Sequence, residues 1–162
     1  MLDQIIIFFA EYVYILIAGI AFCFVILSDT PTRKAVLAIG VFSSVIALIA
    51  DKVLNQIIVS PRPFVVENIT PLFPHVASNG FPSEHALFAM VIASTIFLHN
   101  KKLGSVLIVL TLGIGVARIL ANVHYPVDIF GGLVIGLVAV FIGRYIFSFP
   151  EVKNIFHSRL IK

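Results

Sequence analysis

Three short polar groups interrupt an otherwise apolar sequence: Pro61-Arg62-Pro63, Pro82-Ser83-Glu84-His85, and Arg118 followed by His124 and Asp128. Their residue types suit phosphate chemistry. Each arginine offers a planar fork of donors that matches phosphate oxygens. Pro82 reads as the first residue of a helix, where a missing N–H costs nothing. The free N–H groups of such a first turn bind anions, and Ser83 adds a hydroxyl. Pro126 reads as the start of another helix, with Asp128 in its first turn and His124 just before it. A carboxylate there can reach back to an imidazole N–H, fix its tautomer and leave the other nitrogen free to attack, as in a catalytic triad. His85 is a second imidazole, available as general acid. A lone histidine near a helix end is usually structural, and an interfacial arginine often only snorkels. Gathering all of these in one charge-poor chain is what argues for a site, because polar groups embedded in membrane helices are costly and tend to be functional.

The elements that must position these residues follow from composition. The chain has 162 residues, 60% apolar and 12% charged, with mean hydropathy +1.10 and net charge +3. Soluble domains carry about 25% charged residues. So few charges exclude disorder and would cover a soluble surface poorly. The expected fold is all-α, a polytopic membrane helical bundle of about five transmembrane helices, forming one domain over 1–162. A bilayer core needs roughly 20 apolar residues per helix. The candidate spans are about Gln4–Leu27, Ala35–Ile58, Pro82–Leu98, Leu103–Ala121 and Pro126–Phe149. Met1-Leu2-Asp3 carries no positive charge, so no cleaved signal peptide is expected. Tight links at 28–34 and 99–102 predict antiparallel neighbours. The link at 59–81 is long and proline-rich, which in compact domains signals function or disorder. Its Phe64, Val65, Val66, Leu72 and Phe73 suggest a segment lying at the membrane interface. Gly132 and Gly136 form a small-xxx-small pair suited to close helix packing. Cys23 is the single cysteine, which excludes an internal disulfide and multi-cysteine zinc sites.

Five spans place the N-terminus, the 59–81 loop and the 122–125 link on one side. Of the basic residues, Arg33, Lys34, Lys101, Lys102, Arg144, Lys153, Arg159 and Lys162 fall on the other side, against Lys52, Arg62 and Arg118 on the first. The positive-inside rule makes the richer side, with the C-terminus, cytoplasmic. All three polar groups then converge at the outer face. The cytoplasmic basic residues are explained by topology and anionic lipid, so no nucleic-acid partner is expected. His99 and His157 fall on the cytoplasmic side, away from the site.

At these residues the sequence resembles the type 2 phosphatidic acid phosphatase superfamily. Arg62-Pro63, Pro82-Ser83-Glu84-His85 and Ala117-Arg118-x5-His124-x3-Asp128 match its three-part signature in order and in the last spacing. Three positions depart from it: Asn55 stands at the family lysine, Glu84 at a glycine and Ala117 at a serine. Lys52, one turn before Asn55, is a candidate substitute for the lysine, the alternative being a snorkelling or paired lysine. Within the superfamily the chain is similar to the bacitracin-resistance type of undecaprenyl-diphosphatase, in Pro61-Arg62-Pro63-Phe64, Pro74-His75, His124-Tyr125-Pro126-Val127-Asp128 and Glu11-Tyr12.

The resemblance implies an integral membrane phosphatase that converts undecaprenyl diphosphate to the monophosphate carrier of cell-wall assembly, an activity tied to antibiotic resistance. His124 would attack the terminal phosphorus and form a phosphohistidine. Asp128 would orient it, and His85 would protonate the leaving oxygen and then activate water. Arg62, Ser83, Arg118 and Lys52 would hold the phosphate. No cofactor or metal is implied. The partners are the lipid phosphate or diphosphate and the surrounding membrane lipids. Other lipid phosphates (phosphatidic acid, phosphatidylglycerol phosphate or lipid A) remain alternatives, as does a lipid-binding protein without turnover. Glu84 is expected to face away as a first-turn acid favoured by the helix dipole, the alternative being to tune His85. Glu11, roughly 10 Å deep by helix rise, needs a partner, expected to be Lys52, the alternative being a water-lined edge of the pocket. His75 reads as a loop histidine that could line the headgroup site.

Overall fold

The computed structural model describes residues 1–149 and is helical, with no strand among the described residues. Lys153, His157, Arg159 and Lys162, counted above for sidedness, lie outside the described residues. In chain order the helices are α1 (Leu2–Glu11), α2 (Val13–Leu27), α3 (Thr30–Ile57), α4 (Pro63–Val66), α5 (Glu84–His99), α6 (Lys101–Leu120) and α7 (Pro126–Ile146). The five apolar segments read from sequence are present. α3, α6 and α7 are each long and apolar enough to cross a bilayer, and α1 and α2 qualify as a pair.

The first span departs from the single helix expected over 4–27. It breaks at Tyr12, with 47° between α1 and α2. The Ala10 carbonyl at the break accepts Arg118 Nη1 at 2.9 Å. A side chain inserted into the helical ladder is a recognised cause of a kink. α1 therefore packs on α6, while α2 packs on α5.

α5 has only 16 residues, about 24 Å of helix, yet it is the centre of the bundle. It packs against α2, α3, α6 and α7, and nine of its residues, from Ala86 to Ile96, are buried. A helix enclosed by protein on every side shows no polar stripe. Its start also differs from the expectation. Ser83 is the N-cap and Glu84 the first helical residue, so Pro82 lies ahead of the helix and not at its first position. Pro126, by contrast, opens α7 as expected.

Gly132 and Gly136 are where α7 meets α5. A Cβ on Gly132 would come 2.6 Å from the Ser83 carbonyl oxygen, and one on Gly136 2.5 Å from that of Leu87. Backbone against backbone leaves no room to give. The first turns of the two helices are further joined by Ser83 N–H donating to the Asp128 carbonyl at 3.0 Å. This contact registers the Ser83–His85 segment against the His124–Asp128 segment. At the opposite end, Arg33 donates to the carbonyls of Val25, Ile26 and Ser28 and caps α2, as basic side chains do at helix C-termini.

Candidate active site

A cavity of about 380 Å³ opens where the three polar groups meet. Arg62, His85, Arg118 and His124 line it together, with Lys52, Asn55, His75, Ser78, Asn79, Pro82 and Glu84. The two histidines expected to share a phosphorus atom therefore face one space.

Local structure explains how His124 arrives there. α6 ends in a Schellman turn: Asn122 adopts a left-handed φ of 61°, Val123 N–H donates to the Arg118 carbonyl at 3.2 Å, and Asn122 N–H to that of Ile119 at 2.9 Å. Asparagine tolerates this conformation. The turn folds the chain back, buries Val123 and sets His124 beside Arg118. α7 then starts at once, and Asp128 Oδ2 caps it by accepting the Tyr125 N–H at 2.9 Å.

The same Asp128 oxygen lies 3.4 Å from His124 Nδ1, and its other oxygen accepts Ser60 Oγ at 2.8 Å. On the far side of the ring, Arg62 Nη1 is 3.2 Å from His124 Nε2. Arginine can only donate and a carboxylate can only accept. The proton therefore sits on Nδ1 toward Asp128, and the Nε2 lone pair accepts from Arg62, which lines the cavity beside it. That is the tautomer an attacking imidazole requires. Both His124 and Asp128 are buried.

The segments carrying Arg62 and Ser83 are held by Asn79. Its side-chain nitrogen donates to the carbonyls of Asn55 (2.6 Å) and Ile58 (2.7 Å), and its oxygen accepts the Ser60 N–H at 2.7 Å. Gly80 N–H donates to the Ser60 carbonyl at 2.7 Å beside a single antiparallel bridge, Pro61 with Asn79. Asn79 thus satisfies carbonyls that the end of α3 leaves open and ties the two ends of the long loop together. Ser60 and Asn79 carry no sequence signal of their own, since each acts across 19 residues or more.

Both guanidiniums are buried, and the acceptors they contact are uncharged. Arg62 donates to the carbonyls of Val123 (2.8 Å) and Asn79 (3.5 Å) and to Ser78 Oγ (3.4 Å), besides the His124 contact. Arg118 donates to the Ala10 carbonyl and, at 2.9 Å, to His75 Nε2. Among the described residues neither arginine forms an ion pair within 4.0 Å. The Nε of each arginine is buried without a partner; so is the hydroxyl of Ser83, which lies behind the cavity and is not among its lining residues. Two positive charges and several unused donors around one lone pair describe an anion site.

The remaining expected residues fall as follows. Lys52 lines the cavity, with its Nζ 3.2 Å from Asp51 and 3.4 Å from Glu84. Glu84 therefore does not face away; it stands at the cavity wall opposite Lys52. Glu11 does not pair with Lys52. α1 packs on α6, so the Glu11 carboxylate instead interacts electrostatically with Arg118. Asn55 lines the cavity and donates to the Phe81 carbonyl at 2.9 Å. His75 lies in the loop, as expected, and also lines the cavity. Tyr14, absent from the sequence reading, packs edge-on against the His85 ring at 4.6 Å.

Electrostatics reinforce the geometry. Burial holds His124 below the ordinary histidine range, with Asp128 opposing the shift. Burial, then the charges of Arg62 and Arg118, push His75 down to about 4. Both rings are thus neutral at neutral pH.

Comparison with known proteins gives the family. Residues 12–150 match the PAP2 superfamily. The undecaprenyl-diphosphatase BcrC of Bacillus subtilis is 33% identical over 161 residues, covering 99% of this chain and 81% of that protein. An undecaprenyl-diphosphatase of Sulfolobus acidocaldarius is 30% identical over 147 residues, covering 90% and 68%. Among solved structures, Aquifex aeolicus LpxE superposes with a TM-score of 0.70 at 25% identity, covering 89% of this chain and 86% of its own.

Proposed function

The chain belongs to the PAP2 superfamily, and from that premise we propose that it removes the terminal phosphate of undecaprenyl diphosphate through a phosphohistidine intermediate. At the coarser level it is a multi-pass membrane lipid phosphatase. The observation that carries this reading is His124, its Nε2 unprotonated and in contact with Arg62, lining one cavity with two guanidiniums that no carboxylate neutralises by contact.

In this reading Arg62, Arg118 and Ser83 take the non-bridging oxygens of the terminal phosphate. His124 Nε2 attacks the phosphorus. The bond to the bridging oxygen breaks, and undecaprenyl phosphate leaves with a proton from His85. Asp128 balances the imidazolium that forms. His85 then takes a proton from water, whose oxygen attacks the phosphohistidine, and orthophosphate departs. Charge spreads over three equatorial oxygens in such transfers, so fixed donors supply most of the acceleration. Lys52, at the cavity wall and paired with Asp51 and Glu84, would take the second phosphate of a diphosphate by exchanging a carboxylate for it. The charge asymmetry of the loops supports an extracytoplasmic cavity, where the headgroup would enter while the prenyl chain stays in lipid.

Phosphate release by the purified protein from undecaprenyl diphosphate, compared with phosphatidic acid, phosphatidylglycerol phosphate and a lipid A phosphate, tests the proposal. Preferential turnover of the diphosphate is expected. A preference for a glycerolipid monoester overturns the substrate, and binding without release overturns the enzyme.

A further inference from the structure

Arg118 is held at two points by parts of the chain far from it in sequence. Nη1 is on the Ala10 carbonyl at the α1–α2 break, and Nη2 is on His75 Nε2 at 2.9 Å, 43 residues away. Arginine cannot accept, so His75 Nε2 must carry a lone pair and its proton must sit on Nδ1. The His75 ring is itself fixed. Phe64 stacks on it at 6.4 Å, Phe73 lies tilted at 5.9 Å, and its edge meets the His124 ring at 6.3 Å. Three aromatic neighbours leave the imidazole little freedom, and it lines the same cavity as His124.

We propose that His75 is a positioning residue: an uncharged acceptor that holds the Arg118 fork toward the phosphate without cancelling its positive charge. This rests on the reading of Arg118 as a phosphate donor. The chemical type matters. A carboxylate at this place would pair with the guanidinium and compete with the incoming phosphate. An apolar side chain would leave Nη2 buried and free to turn away. The imidazole avoids both. It follows the pattern of the site, in which backbone carbonyls, Ser78 and His124 supply the other acceptors for the arginines.

The test compares His75→Gln, His75→Leu and His75→Asp in the full-length protein in detergent. Two readouts are used: kcat and KM on undecaprenyl diphosphate, and orthophosphate affinity by phosphorus NMR titration. Glutamine keeps a neutral acceptor, so its phosphate affinity is expected within about threefold of wild type. Leucine is expected to weaken phosphate binding and raise KM by about tenfold to a hundredfold, the range for a lost hydrogen bond to a charged group. Aspartate is expected to weaken phosphate binding at least as much as leucine. Leucine binding phosphate like wild type overturns the proposal, as does glutamine impaired as badly as leucine. If His75→Leu does not fold, aspartate binding phosphate as tightly as glutamine overturns it. Wild-type protein that binds orthophosphate yet releases none from the diphosphate counts against the substrate reading, and the affinity series still decides His75.

Discussion

His124 depends on a neighbour at each nitrogen. Asp128, capped onto Tyr125 N–H and fixed by Ser60, takes the Nδ1 proton, and Arg62 marks the Nε2 lone pair. His124→Ala is expected to abolish phosphate release, by about a thousandfold or more. Asp128→Asn keeps the shape but favours the wrong tautomer, and should cost on the order of a hundredfold or more in kcat. Both are checked by phosphate-release kinetics with thermal melts as folding controls. The pH profile follows from the lowered value of His124. A depressed value keeps the neutral, attacking ring populated below the ordinary histidine value of about 6.5. kcat/KM should therefore stay flat as pH falls through that value and drop only below it. An acid-limb midpoint at or above about pH 6.5 would contradict the assignment. At this scale the sequence was informative where residues act within one turn, as in His124-x3-Asp128. It was silent where they act across the chain. Nothing near His75 announces a contact with Arg118, and nothing near Ser60 announces one with Asp128 68 residues on.

At the scale of elements, the site stands on the approach of α5 to α7. Gly136→Val pushes a side chain into the Leu87 carbonyl and Met90. Overpacking of this kind costs about 1–3 kcal/mol, so a lower melting temperature in detergent is expected, together with lost activity. Gly19→Ala is the contrast. Nothing lies within 4 Å of its added Cβ, and alanine favours a helix interior by up to about 1 kcal/mol, so the melt should hold or rise. Apolar runs made five segments legible, and Pro126 with Asp128 marked the start of α7. The break at Tyr12 was not legible, because it comes from Arg118 reaching the Ala10 carbonyl across 108 residues. Nor was the central place of α5, since a short apolar run reads the same whether lipid or protein surrounds it. Glu11 and Glu84 were misassigned for the same reason: their neighbours depend on which helices pack together.

For the whole molecule, the proposed orientation rests on the loop charges, since the helices leave it open. With Cys23 replaced by serine, Ile69→Cys should react with a membrane-impermeant maleimide added outside intact cells, and Lys101→Cys should react only after the membrane is opened. The reverse pattern would move the cavity to the cytoplasmic side. The family match and the relatives named undecaprenyl-diphosphatase make the chemistry a lipid phosphatase, while the covalent step is the account's central claim. The most direct measurement is rapid acid-free quenching of the protein during turnover of undecaprenyl diphosphate labelled in its terminal phosphate, followed by mapping of the label. The account predicts one labelled phosphate on His124, accumulating in His85→Ala and missing in His124→Ala. Label on another residue, or full-rate phosphate release by His124→Ala, would contradict it.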